Sequence, residues 1–148
     1  MARPTVHLVV STGLAIIQFA RTGRLAPALA PLLTGFLIDS DHFAEVIRVK
    51  LVAKRSEGRT ILPLHGWEYL VVWYLVERLF RWDLAGGLVM GYAAHLAIDQ
   101  VTNDITHPLT YFISFRRSRG FSSTLFNNAS ESEAGWLNDS VLNLWKYF

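Results

Sequence analysis

Leu84-Ala85-Gly86-Gly87-Leu88-Val89-Met90-Gly91-Tyr92-Ala93-Ala94-His95-Leu96-Ala97-Ile98-Asp99-Gln100-Val101 reads as one helix, with Asp83 placed to cap its start. Gly87 and Gly91 lie one turn apart, the small-xxx-small spacing that lets a second helix approach closely. His95 and Asp99 are four residues apart, so they share a helix face with Cβ atoms about 5–6 Å apart. One segment thus offers both a packing seam and a pair of metal-ligand side chains.

Upstream, a helix begins near Pro63 and runs to about Arg81, rich in Trp, Tyr, Leu and Val. Its length is too great for a strand despite the β-branched content. Two earlier stretches, Thr5–Ala20 and Leu25–Ile38, are the first and second helices. Pro27 and Pro31 fit best in or before the first turns of the second. Between them and the third long helix lies a basic amphipathic segment opened by Asp39 and Ser40, with Phe43, Val46, Ile47 and Leu51 on one face. A loop follows, Ser56–Ile61. Downstream come the aromatic stretch His107–Phe115 and the cluster Arg116, Arg117 and Arg119. Phe121 to Glu133 is rich in Ser and Asn and reads as a linker. The tail carries a helical stripe, Leu137, Val141, Leu144, Trp145 and Phe148. The expected division is a helical domain over 1–120 and a linker with amphipathic tail over 121–148. The sequons at Asn128 and Asn138 read as chance.

The chain has 148 residues, enough for one core. With no cysteine, disulfides and thiolate ligands are excluded, and any transition metal must be held by His, Asp and Glu. Apolar residues are 51% and charged residues 18%, which leans toward a membrane. No apolar run reaches the ~18–20 residues of a clear spanning helix. Four shorter runs with five Trp and five Tyr nevertheless favour membrane association. If the helices span, the positive-inside rule puts both termini on the cytoplasmic face of the cell membrane. The net charge of +2, with clustered basic residues, suits an anionic surface or a phosphate-bearing substrate at least as well as nucleic acid.

Four long helices joined by short connections alternate up and down. That topology gathers His7, Asp39, Asp41, His42, His65, Glu68, His95, Asp99 and His107 at the end holding the N-terminus. Singly, each has a plainer explanation. Asp39 and Asp41 can cap a helix, His65 before Gly66 can be a loop residue, and His107 before Pro108 a turn residue. Together they point to one shared metal site, with His42 its weakest member.

Gly35-Phe36-Leu37-Ile38-Asp39-Ser40-Asp41-His42 and Gly91-Tyr92-Ala93-Ala94-His95-Leu96-Ala97-Ile98-Asp99 resemble a family of small bacterial membrane-bound metal-dependent hydrolases. That family is distantly similar to zinc-dependent phospholipase C and the zinc single-strand nucleases. The resemblance spans His7 to about Pro108, and it implies ligand roles for His7, Asp39, Asp41, His65, His95, Asp99 and His107. It departs at His65-Gly66-Trp67, where Glu68 stands in place of the family's second mid-chain His. The phospholipases' N-terminal Trp ligand also has no counterpart.

The expected architecture is therefore all-α, an up-and-down bundle of four main helices plus short amphipathic helices, with a metal site at one end. The expected cofactor is a divalent transition metal, Zn²⁺ first and Mn²⁺ or Fe²⁺ as alternatives. By analogy the activity is hydrolysis of an ester or phosphoester, on a small-molecule or lipid-like substrate. Asp41 or Glu68 is the candidate base if not consumed as a ligand, and Arg48 and Arg116–Arg119 are candidate phosphate binders. The alternative readings are a non-catalytic metal- or haem-binding membrane protein and a structural membrane subunit.

Overall fold

The computed structural model of the chain describes residues 4–48, 59–80 and 82–126. The tail stripe, both sequons and the loop residues Ser56–Gly58 lie outside them. Among these residues six α-helices follow in order: α1 (Pro4–Thr22), α2 (Leu25–Leu37), α3 (Ser40–Ile47), α4 (Glu68–Phe80), α5 (Asp83–Thr102) and α6 (Ile113–Ser118). A 3₁₀ turn, Ser123–Leu125, comes last. Among the described residues there is no strand, only isolated bridges between Arg59 and Ser122 and between Ile105 and Phe126. The fold is all-α, as expected.

The closest packing is between α2 and α5. A Cβ at Gly87 would meet the Pro27 carbonyl oxygen at 2.5 Å and the Ala30 Cβ at 2.8 Å. One at Gly91 would meet the Pro31 carbonyl oxygen at 2.5 Å and its Cα at 2.6 Å. Only glycine lets the two backbones come this near. Pro31 sits inside α2, in its second turn. Lacking an N–H, it cannot bond the Pro27 carbonyl one turn back, and that oxygen faces Gly87 instead. Helix α1 packs on both α2 and α5, and α4 packs on α5. The α1 face turned inward is polar, with His7, Ser11 and Gln18 buried. The Ser11 hydroxyl occupies the space a side chain at Gly35 would need.

Helix α4 starts at Glu68, later than the expected start near Pro63. The backbone of the preceding segment is used elsewhere. The Leu64 N–H goes to Asp41 and the Gly66 N–H to the Tyr92 hydroxyl. Asp83 is the first residue of α5 rather than its cap. Its carboxylate takes a 2.7 Å hydrogen bond from Arg24. A cluster of Ile38, Tyr92, Leu96 and Tyr111, flanked by Trp67, Leu70, Ile105 and Phe126, forms the apolar core. Residues 121–126 join it: Thr60 N–H donates to the Phe121 carbonyl (2.9 Å), Thr106 N–H to the Leu125 carbonyl (3.0 Å), and Leu125 is buried.

The membrane expectation does not survive. Among the described residues no helix is long and apolar enough to cross a membrane. Helices α2 and α4 have 13 residues each, about 20 Å at 1.5 Å per residue, against a hydrocarbon core of about 30 Å. Helices α1 and α5 are longer, but α1 carries His7, Ser11, Gln18 and Arg21, and α5 carries Asp83, His95 and Asp99. The transmembrane assignment and the placement in the cell membrane are thereby overturned. The positive-inside argument loses its premise.

Candidate metal centre

Four segments bring ligand-type side chains together. His7 comes from the first turn of α1, Asp39 from the junction of α2 and α3, and His42 from the first turn of α3. His65 lies on the segment before α4, and His95 and Asp99 on the inner face of α5. His7, His65, His95 and Asp99 are all at most 3% exposed. Asp39 makes no cap to α3; its carboxylate faces the histidines instead.

The ring nitrogens are sorted by their partners. His65 Nδ1 donates to Asp41 at 3.0 Å, and His95 Nδ1 donates to the Gly35 carbonyl at 3.0 Å. In the neutral rings this leaves both Nε2 atoms as lone-pair acceptors, and they face one another at 3.2 Å. Two lone pairs at that distance repel unless a proton or a cation lies between them. Two carboxylates complete the surround. Asp99 Oδ2 is 3.3 Å from each Nε2, and Asp39 Oδ1 is 3.4 Å from His95 Nε2 and 3.7 Å from His65 Nε2. A tetrahedral zinc ion with bonds of 2.0–2.2 Å needs ligand atoms about 3.3–3.6 Å apart. The 3.3 and 3.4 Å spacings meet that requirement, and those of 3.2 and 3.7 Å fall a tenth of an ångström outside it. His7 Nε2 reaches the other Asp99 oxygen at 3.2 Å, and its ring stacks on His95 with centroids 4.1 Å apart.

Two groups of donors close enough to hold an ion emerge: His7, Asp39, His95 and Asp99, and Asp39, His42 and His65. Their electrostatics follow from the mutual placement. Burial would lower the His95 imidazole, but hydrogen bonds to Asp39 and Asp99 outweigh it and bring the pKa up to about 9. His65 is raised too, against its own burial, by Asp39, Asp41 and Asp99. The carboxyls respond in kind: burial opposes ionisation of Asp39 and Asp99, yet the histidines hold both below the ordinary carboxylate range. His42 is lowered by burial and by the neighbouring His65.

The segment carrying His65 is strapped from three sides. Asp41 Oδ2 accepts from Leu64 N–H at 2.9 Å as well as from the His65 ring. The Tyr92 hydroxyl donates to the Leu64 carbonyl at 2.6 Å. Arg116, buried at 1% exposure, donates to the Leu62 and His65 carbonyls at 2.9 and 2.6 Å. Glu45 binds Ile61 N–H and Arg48. Arg48, which also donates to the Arg59 carbonyl at 2.9 Å, and Arg116, both read from sequence as candidate phosphate binders, are thus engaged with backbone carbonyls.

The ligands expected from the sequence divide accordingly, with His7, Asp39, His65, His95 and Asp99 brought together. Asp41 lies behind His65 and orients it instead of joining either group. Glu68 faces away from the cluster. Its oxygens accept from Ile113 N–H (3.0 Å), Ser114 N–H and Ser114 Oγ (2.8 Å each), capping α6. His107 is a turn residue whose Nδ1 accepts from Leu109 N–H and whose ring stacks on Phe115. His42 belongs to the cluster more fully than its sequence suggests, although its position three residues after Asp39 carries the signal. Tyr92 and Arg116 had none beyond their residue type. No family model matches the chain, and no match was found among curated proteins or solved structures.

Proposed function

We propose that the chain is a metal-dependent hydrolase of an ester or phosphoester, with Zn²⁺ the first candidate ion and Mn²⁺ or Fe²⁺ the alternatives. The observation that carries the metal is the facing pair of Nε2 atoms, surrounded by Asp39 and Asp99 at tetrahedral spacings. Nitrogen and oxygen donors without sulfur suit these ions, and the Asp41–His65 and Gly35–His95 bonds are the outer-shell contacts that orient metal-ligating imidazoles. Hydrolysis rests on the sequence resemblance of the Asp39–His42 and His95–Asp99 motifs. When bound, such an ion lowers the pKa of water toward ~7 and polarises a scissile oxygen.

In this reading the site sits at one end of an up-and-down bundle. His7 lies near the start of α1, Asp39 after α2, His65 before α4 and His95 in the second half of α5, which supports it. Substrate reaches the cluster past Asp39 and His42, whose side chains keep 14% and 11% exposure while those of His7, His65, His95 and Asp99 keep at most 4%. Asp41 and Glu68 are withdrawn as bases, because one is committed to His65 and the other to α6. Haem does not suit the site, since donors 3.2 Å apart leave no gap for a macrocycle.

The test is hydrolysis by purified protein loaded with Zn²⁺, Mn²⁺ or Fe²⁺, on aryl phosphomonoesters, phosphodiesters and carboxylic esters. Turnover that is lost in Asp99→Ala and after chelation supports the reading. Metal-loaded protein no more active than Asp99→Ala on all three classes would reduce it to a metal-binding protein without this chemistry.

A further inference from the structure

Where α4 ends and α5 begins, Tyr74, Glu77, Arg78, Trp82 and Asp83 line a cavity of about 370 Å³. Asp83 stands twelve residues before His95 on α5, about 18 Å along the helix at 1.5 Å per residue. The cavity is therefore separate from the metal centre. Its volume lies near the lower limit for small-molecule sites, which run from about 300 to 1,000 Å³. One small molecule would fill it.

The lining carries charges of both signs. Asp83 is neutralised by Arg24, whose guanidinium donates to it at 2.7 Å. Glu77 and Arg78 are left, and among the described residues neither side chain has a hydrogen-bond or ion-pair partner. Gly86 makes room for the carboxylate, since a Cβ there would stand 3.2 Å from Glu77 Oε1. Consecutive helical residues project about 100° apart, so an unpaired anion and an unpaired cation flank one opening from a single turn of α4. Tyr74 and Trp82, each about half exposed, add two aromatic rings.

A simple cation at this cavity would meet Arg78, and a simple anion would meet Glu77. A molecule with both an ammonium and a carboxylate satisfies the two together through charge-assisted hydrogen bonds. The rings favour an aromatic body that can stack on them. We propose that the cavity is a binding site for a free α-amino acid with an aromatic side chain. Its carboxylate lies on Arg78, its ammonium on Glu77 and its ring against Tyr74 and Trp82. The site stands whether or not the His/Asp cluster holds a metal.

The experiment is calorimetric titration of the full chain with L-phenylalanine, with chelator present because an α-amino acid also binds metal ions. Saturable binding of one equivalent is expected, with a dissociation constant of about 1 mM or below. Phenethylamine lacks the carboxylate and 3-phenylpropionate lacks the ammonium, and each should bind at least about tenfold more weakly. Glu77→Gln and Arg78→Gln should each weaken phenylalanine about tenfold as well. Neither residue is buried, so both variants keep the fold. No saturable binding of phenylalanine, equal binding of either analogue, or unchanged affinity in either variant would overturn the proposal.

Discussion

At His65 and His95 a hydrogen bond at Nδ1 determines what Nε2 can do. Without an ion, the only cations that can relieve the facing Nε2 atoms are protons, and Asp39 and Asp99 hold His95 protonated up to about 9. An unfolded histidine titrates near ~6.5. The stabilisation from this raised pKa is therefore complete below about 6.5 and disappears as the pH rises to about 9. The ion-loaded protein runs the other way, because a metal needs the rings deprotonated. Thermal midpoints between pH 6 and 9 should fall for stripped protein and rise for loaded protein; parallel profiles would contradict this. Glu68 is tested by substitution. Glu68→Gln should leave the bound equivalents unchanged and lower stability by about 1 kcal/mol, the usual worth of a capping side chain. Loss of metal in that variant would return Glu68 to the centre.

The α2–α5 seam is the element on which the site depends, since Gly35, Asp39, His95 and Asp99 stand on it or just beyond it. Gly91→Ala places a methyl group against the Pro31 backbone, which cannot yield as a flexible side chain would. The expected cost is about 1–3 kcal/mol, read as a lower denaturation midpoint, with weakened metal retention because both ligand-bearing helices shift. An unchanged midpoint would mean that the two helices are not held at this distance. This seam was legible from the Gly87–Gly91 spacing, as was the His95–Asp99 face, because both are periodic features of one helix. The α4 start was not. It depends on where backbone groups find partners: Leu64 and Gly66 bond to α3 and α5. Local sequence carries no sign of it.

For the whole molecule, composition pointed the wrong way and the placement of the His and Asp residues along the helical stretches the right way. Five Trp and a 51% apolar content suggested spanning helices, but the lengths and inner polar residues of α1, α2, α4 and α5 do not allow a crossing. The gathering of His7, Asp39, His65, His95 and Asp99 was legible from their places at or near the ends of successive helical stretches. Arg116 was not, because burial of a guanidinium under the His65 segment is a tertiary event. The proposed metal chemistry depends on the facing Nε2 atoms of His65 and His95 being ligands. A crystal of the full chain grown with Zn²⁺ and measured at the zinc absorption edge tests it directly. Anomalous density is expected about 2.0–2.2 Å from each Nε2 atom and from the facing oxygens of Asp39 and Asp99. Those two nitrogens joined by a proton or a water, with no anomalous peak among them, would contradict it.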